Sequence, residues 1–178
     1  DPRGRMSQPM MARIAALPAV LRAGVVLCAG AVGGFAQEPY GISSAILFSM
    51  IMGVLLCASA TTTRAALWVG WLFGTGYFLV SLTWIIEPFL VDVARHGWMA
   101  PFALVFLAAG LALFWAGAFG LARWLGSPWG LALSWPMAEL ARAYIFTGFP
   151  WAMPPQALID TMAGQALAWV GPHGVMLG

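Results

Sequence analysis

Apolar residues in this chain come in long runs separated by short polar breaks. The runs cover 20–35, 42–60, 65–86, 99–122, 129–146 and 157–178. The breaks are Gln37-Glu38-Pro39, Thr61 to Arg64, Glu87-Pro88 through His96, Arg123 with Gly126-Ser127-Pro128, and Gly148 to Pro155. No in–out alternation marks the runs, so they predict helices rather than membrane-barrel strands. A spanning helix needs about 20 mostly apolar residues. The pattern therefore predicts an all-α fold: a polytopic transmembrane helical bundle of about six spans over 20–178, behind an N-terminal segment 1–19.

Composition strengthens this reading. Of 178 residues, 62% are hydrophobic and 8% charged, and the mean hydropathy is +0.87. A soluble domain carries about 25% charged residues. With so few charges the outside of a water-soluble globule would expose large apolar patches. The net charge of +2 comes from eight Arg and six acids, with no Lys. That excludes the basic footprint of a nucleic-acid partner.

The arginines orient the spans. Arg3, Arg5 and Arg13 precede the first run and Arg22 lies at its start, Arg64 lies between the second and third, and Arg123 between the fourth and fifth. If every run crosses, these regions share one side, and the positive-inside rule puts that side and the N-terminus in the cytoplasm. Glu38, Glu87, Asp92 and the Pro-rich segment then face outward, to the periplasm of a Gram-negative cell. Trp68, Trp84, Trp98, Trp124, Trp129 and Trp151 sit near the run ends and suit interfacial anchors. Small residues recur within runs (Gly30, Gly33, Gly34; Gly70, Gly74, Gly76; Gly117, Gly120) and predict close helix approach.

Candidate chemistry is sparse. Glu139 and Arg142 lie in the fifth run at i, i+3, on one helix face. Charges within a span are usually paired or face a cavity, so they read as a structural ion pair or as a contact to a polar head group. In Thr147-Gly148-Phe149-Pro150-Trp151, Pro150 cannot continue a helix and Gly148 admits unusual backbone angles. The segment predicts a rigid turn at the outer interface presenting Phe149 and Trp151 to lipid, or a plain helix stop with an aromatic anchor. Glu87, Asp92 and His96 have no metal-ligand spacing and read as solvated loop groups. His173 reads as a packing residue, and Cys28 and Cys57 as small buried hydrophobes. The residues indicate no metal and no cofactor.

Glu139-Leu-Ala-Arg142 followed by Thr147-Gly-Phe-Pro-Trp151 resembles the signature of bacterial apolipoprotein N-acyltransferases. Gly70 to Trp84 is similar to that family's Gly-rich third span, Gly30 to Gly41 to its first outer hairpin, and Gln165 to Gly178 to the span after the signature. The resemblance extends from about Arg13 onward. It implies an inner-membrane enzyme that moves an acyl chain from a phospholipid donor to the α-amino group of a diacylglyceryl-Cys apolipoprotein. It also implies a periplasmic nitrilase-like domain carrying a Glu-Lys-Cys triad, in which Cys takes the acyl group as a thioester.

With no Lys, and both Cys in the first two runs, this chain offers no catalytic residue to match the triad. The resemblance carries over Gly148 and Trp151 as neighbours of the lipid-substrate cavity, with Glu139, Arg142, Phe149 and Pro150 as their support. The start at Asp1 without Met predicts residues missing upstream or a non-native start, and Arg13 to Ala36 reads as a first span ahead of a signal peptide. An apolar run cut at Gly178 predicts continuation into the soluble domain. Readings of another class are a transporter or scaffold, or the membrane anchor of a lipid-linked-sugar glycosyltransferase.

Overall fold

A computed structural model describes residues 17–126, 130–145 and 148–177, with the backbone alone at 163, 173, 176 and 177. Arg3, Arg5, Arg13, Ser127, Pro128, Trp129, Phe146, Thr147 and Gly178 lie outside the described residues, as does the His173 side chain. Among the described residues six longer helices carry the fold: α1 (Ala19–Gly34), α2 (Ser44–Ser59), α3 (Thr63–Ser81), α4 (Ala100–Leu125), α5 (Gly130–Tyr144) and α6 (Leu167–Leu177). Short helical turns fill Thr83–Met99 between α3 and α4, and two more, Pro154–Leu158 and Ala163–Ala166, precede α6. There is no strand among the described residues.

Helix α3 is the centre of the bundle and packs most extensively against α4 and α1. Its glycines make that possible. A Cβ on Gly76 would stand 2.0 Å from the Leu27 carbonyl oxygen of α1, and one on Gly30 would stand 1.9 Å from that of Phe73. On the α4 side, Gly70 and Gly74 lie against Trp115 and Ala112. Backbones this close gain van der Waals contact, which drives helix association where lipid removes the hydrophobic drive. Gly117 has nothing within 4 Å and takes no part.

The core is mainly apolar, but several polar groups lie inside it and many large apolar side chains lie outside. Ser49, Thr75, Ser81, Ser134, Glu139 and Arg142 are buried, whereas Phe48 and Ile51 of α2, Phe102 and Phe106 of α4, and Met137 of α5 are exposed. The buried hydroxyls bridge helices: Ser49 donates to Ala29 O at 2.9 Å and Ser134 to Ala118 O at 2.8 Å. Hydroxyls inside and hydrocarbon outside is the arrangement of a membrane protein. Among the described residues, one helical stretch, Val93–Leu125, is by itself long and apolar enough to cross a bilayer. Helix α3 passes the same test together with Thr83–Leu90 across a 62° bend, and α1 and α2 are shorter apolar helices. Cys28 differs from expectation: it is exposed on α1, in an apolar groove beside Val32 and Phe48, because apolar side chains here also turn outward.

Two apolar runs are not single helices. The third, 65–86, bends after Ser81, where hydroxyls compete for helix carbonyls: Ser81 donates to Tyr77 O and Thr83 to Val80 O. The sixth, 157–178, becomes helix α6 only at Leu167. Gly164 is wedged against the Leu158 carbonyl, and α6 itself breaks at Gly171, where φ is 67° ahead of Pro172.

The ends of the bundle separate by charge. Arg123 Nη2 donates to Thr61 O at 3.2 Å, beside Arg64, and Arg22 shares a cavity wall with Thr61. Glu38, Trp84, Trp151 and Asp160 line one cavity at the opposite end.

Candidate functional site at the acidic end

Helix α5 buries Ser134, Trp135, Glu139 and Arg142 on one face. Glu139 and Arg142 form an ion pair whose side chains are both fully buried, with Nη2 at 2.5 Å from Oε2 and Nε at 3.2 Å from Oε1. Trp115 Nε1 donates to the same Oε1 at 2.6 Å, and the guanidinium lies 5.2 Å from the Phe78 ring centroid. Such a pair offsets its own desolvation only when further hydrogen bonds satisfy its remaining protons. Arg142 finds them in the loop after its helix: Nη1 donates to Phe149 O at 2.6 Å and to Trp151 O at 2.8 Å.

That loop is held along its length. Tyr77 Oη of α3 donates to Ala152 O at 3.1 Å, and Gln37 Nε2, just past α1, donates to Met153 O at 2.9 Å. Gln156 Nε2 donates to Pro150 O at 3.0 Å. Each of the successive carbonyls from Phe149 to Met153 thus accepts from a side chain. A non-helical backbone among membrane helices needs such partners, since lipid supplies none. Gly148 opens the loop at φ 74°, where an added Cβ would stand 2.3 Å from Ala143 O. Ala152 also takes a positive φ, 55°, a conformation that costs a non-Gly residue energy and persists where surroundings over-determine it.

The consequence is a fixed direction for two aromatic rings. Phe149 turns inward and packs on the core. Trp151 turns outward, 59% exposed, and meets Trp84 edge to face at 6.0 Å. The two tryptophans line a cavity of about 500 Å³ together with Gln37, Glu38, Gln156 and Asp160. Of the residues singled out in the sequence, Trp151 lines the cavity, Gly148 and Arg142 shape its loop, and Pro150 is exposed on that loop. Glu87, Asp92 and His96 are exposed, and Asp92 accepts from Arg95 N to cap a short turn.

Residues 29–177 match the defining pattern of the apolipoprotein N-acyltransferase N-terminal domain. The chain belongs to this family. Its relatives include the apolipoprotein N-acyltransferases of Caulobacter vibrioides (38% identical, covering 85% of this chain and 30% of the relative) and Allorhizobium ampelinum (35%, 93% and 34%). That of Rhodopseudomonas palustris is 37% identical over 88% of this chain and 31% of its own length. The chain thus spans about a third of the length of the curated relatives it matches. These matches give no support to a transporter, a scaffold or a glycosyltransferase anchor.

Sequence reasoning missed Tyr77, Gln156 and Asp160, and took Gln37 only as part of a break. Tyr77 and Gln37 carried one usable signal: polar groups within or beside apolar runs must find partners. Nothing in the sequence joins them to each other, 40 residues apart, or to a loop beyond residue 150.

Proposed function

We propose that this chain is the membrane domain of a bacterial apolipoprotein N-acyltransferase and shapes the route by which lipid substrates reach the catalytic domain. In this reading about six spans cross the inner membrane. The arginine end and N-terminus lie in the cytoplasm and the Trp151 end lies on the periplasmic side. The phospholipid acyl donor and the diacylglyceryl apolipoprotein acceptor approach the cavity beside Trp151. Acyl transfer itself takes place on a nitrilase-like domain beyond this chain. Gly148 and Trp151 carry the lipid contact; Glu139, Arg142, Phe149 and Pro150 keep them in place.

The observation that carries this reading is the outward Trp151, fixed beside the cavity by a loop in which every carbonyl from Phe149 to Met153 accepts from a side chain. A tryptophan serving only as an interfacial anchor needs no such device. The test is Trp151→Ala in the intact gene product: acyl transfer should fall by about tenfold or more, a loss of about 1.4 kcal/mol in substrate or transition-state contact, at unchanged protein level. Equal loss of activity and protein would make Trp151 an anchor. For orientation, Asp160→Cys should react with a membrane-impermeant thiol reagent added from the periplasmic side; reaction only after lysis would invert the topology.

A further inference from the structure

The polar half of the cavity beside Trp151 has a composition that selects among ligands. Among the described residues its wall carries two carboxylates, Glu38 and Asp160, and no Arg, Lys or His. Gln37 adds a third acceptor. Its Nε2 donates to Tyr77 Oη at 2.6 Å and to Met153 O at 2.9 Å, which leaves Oε1 without a donor among the described residues. The side chain is only 7% exposed and lines the cavity. Ser81, on the same wall, gives its proton to Tyr77 O and so has none to offer a ligand. Trp84 and Trp151 complete the wall, 43% and 59% exposed.

Acceptors, negative charge and exposed aromatic rings therefore converge, with no cation among the described lining residues to oppose them. An anionic group placed here would meet two like charges. A cation would meet ring quadrupoles, counter-charges and a hydrogen-bond acceptor that needs an N–H. We propose that this cavity binds a primary ammonium group, with Trp84 and Trp151 against its face, Gln37 Oε1 accepting one N–H, and Glu38 and Asp160 balancing its charge. The N–H requirement separates it from a quaternary ammonium, which would keep the ring contact and lose the bond to Gln37. The proposal rests on the reading of this end as the lipid-substrate side. Two sources present such a group: the ethanolamine head of a phospholipid and the free α-amino group of a lipidated N-terminal Cys.

The test uses the intact gene product in phosphatidylglycerol vesicles, with bound lipid read by native mass spectrometry. One arm competes phosphatidylethanolamine against its N-acetylated form; the other competes a diacylated Cys peptide against its N-acetylated form. In at least one arm the free amine should be retained about fivefold over the acetylated form, the scale of one aromatic contact plus exposed ion pairs. The arm that shows it names the source. Glu38→Gln with Asp160→Asn should abolish the preference, and Asp160→Lys, placing a cation in the same wall, should reverse it. Both changed side chains, Glu38 and Asp160, are exposed, so thermal stability should stay at the parent value. Equal retention of free and acetylated forms by the parent protein, or a preference unchanged in the double variant, overturns the ammonium site while leaving the lipid reading in place. Retention of no lipid or peptide by the parent protein overturns both.

Discussion

The two ends of the bundle are closed by different means. At the arginine end the chain turns within a few residues, using local chemistry. Thr62 caps α3 by accepting from Ala65 N at 3.1 Å, and α4 stops at Gly126 in the left-handed region, its N–H bonded to Arg123 O. At the acidic end a long non-helical segment runs from Gly148 into the turn at Pro154, held by side chains from three other places in the chain. The donors to its carbonyls stand as far as 75 and 116 residues away in sequence. An end built locally can vary without disturbing the core. An end built from buried, mutually dependent polar groups is rigid and costly to disturb, and it is the end where Trp151 and the cavity lie.

This contrast can be broken by mutation, starting with the largest effect. Arg142→Leu strands the Glu139 carboxylate in the core and releases two loop carbonyls, so it should destabilise the protein by about 3–5 kcal/mol, read as thermal unfolding in detergent. Pairing it with Glu139→Gln should recover part of the loss, with a coupling of about 2 kcal/mol; additive effects would mean that the two groups do not act as a pair. Tyr77→Phe keeps the ring and removes one oxygen. It leaves Ala152 O and a Gln37 N–H unmatched, which should cost about 1–3 kcal/mol, and hydrogen exchange should rise at 152–153 more than at the arginine end. Uniform exchange along the chain would deny that Tyr77 pins this loop. Smallest is Thr62→Ala, a lost helix cap worth about 1 kcal/mol. It should leave exchange in 149–153 unaltered; a change there would show the two ends to be coupled.

Much of the helical framework was legible in the pattern of runs. The α1, α2, α4 and α5 ranges fall close to the runs at 20–35, 42–60, 99–122 and 129–146, because apolar continuity and Gly, Pro or Thr punctuation are local properties. The bend after Ser81 and the late start of α6 were not legible, since both fall inside apolar stretches where hydropathy gives no boundary. Glu139 and Arg142 were readable as neighbours on one face, but not the four bonds the guanidinium makes. Phe149 and Trp151 looked alike in sequence, and a regular extended segment would put residues two apart on one side; they point opposite ways because this segment is irregular, running from Gly148 at φ 74° through Pro150 to Ala152 at φ 55°.

The sequence by itself determined that this is an apolar, helical chain with six of its eight arginines on alternate sides of the runs, Arg95 and Arg142 being the exceptions, and that an unusual Gly-Phe-Pro-Trp corner follows a charged helix face. Those are consequences of composition and of spacing over a few residues. Only the tertiary structure decided that Gln37, Tyr77 and Arg142 converge on the corner's carbonyls and that Glu38 and Asp160 share one cavity with two tryptophans. Hydrogen bonds at a few ångströms join groups tens of residues apart in the chain, and only packing of the helices brings them within reach.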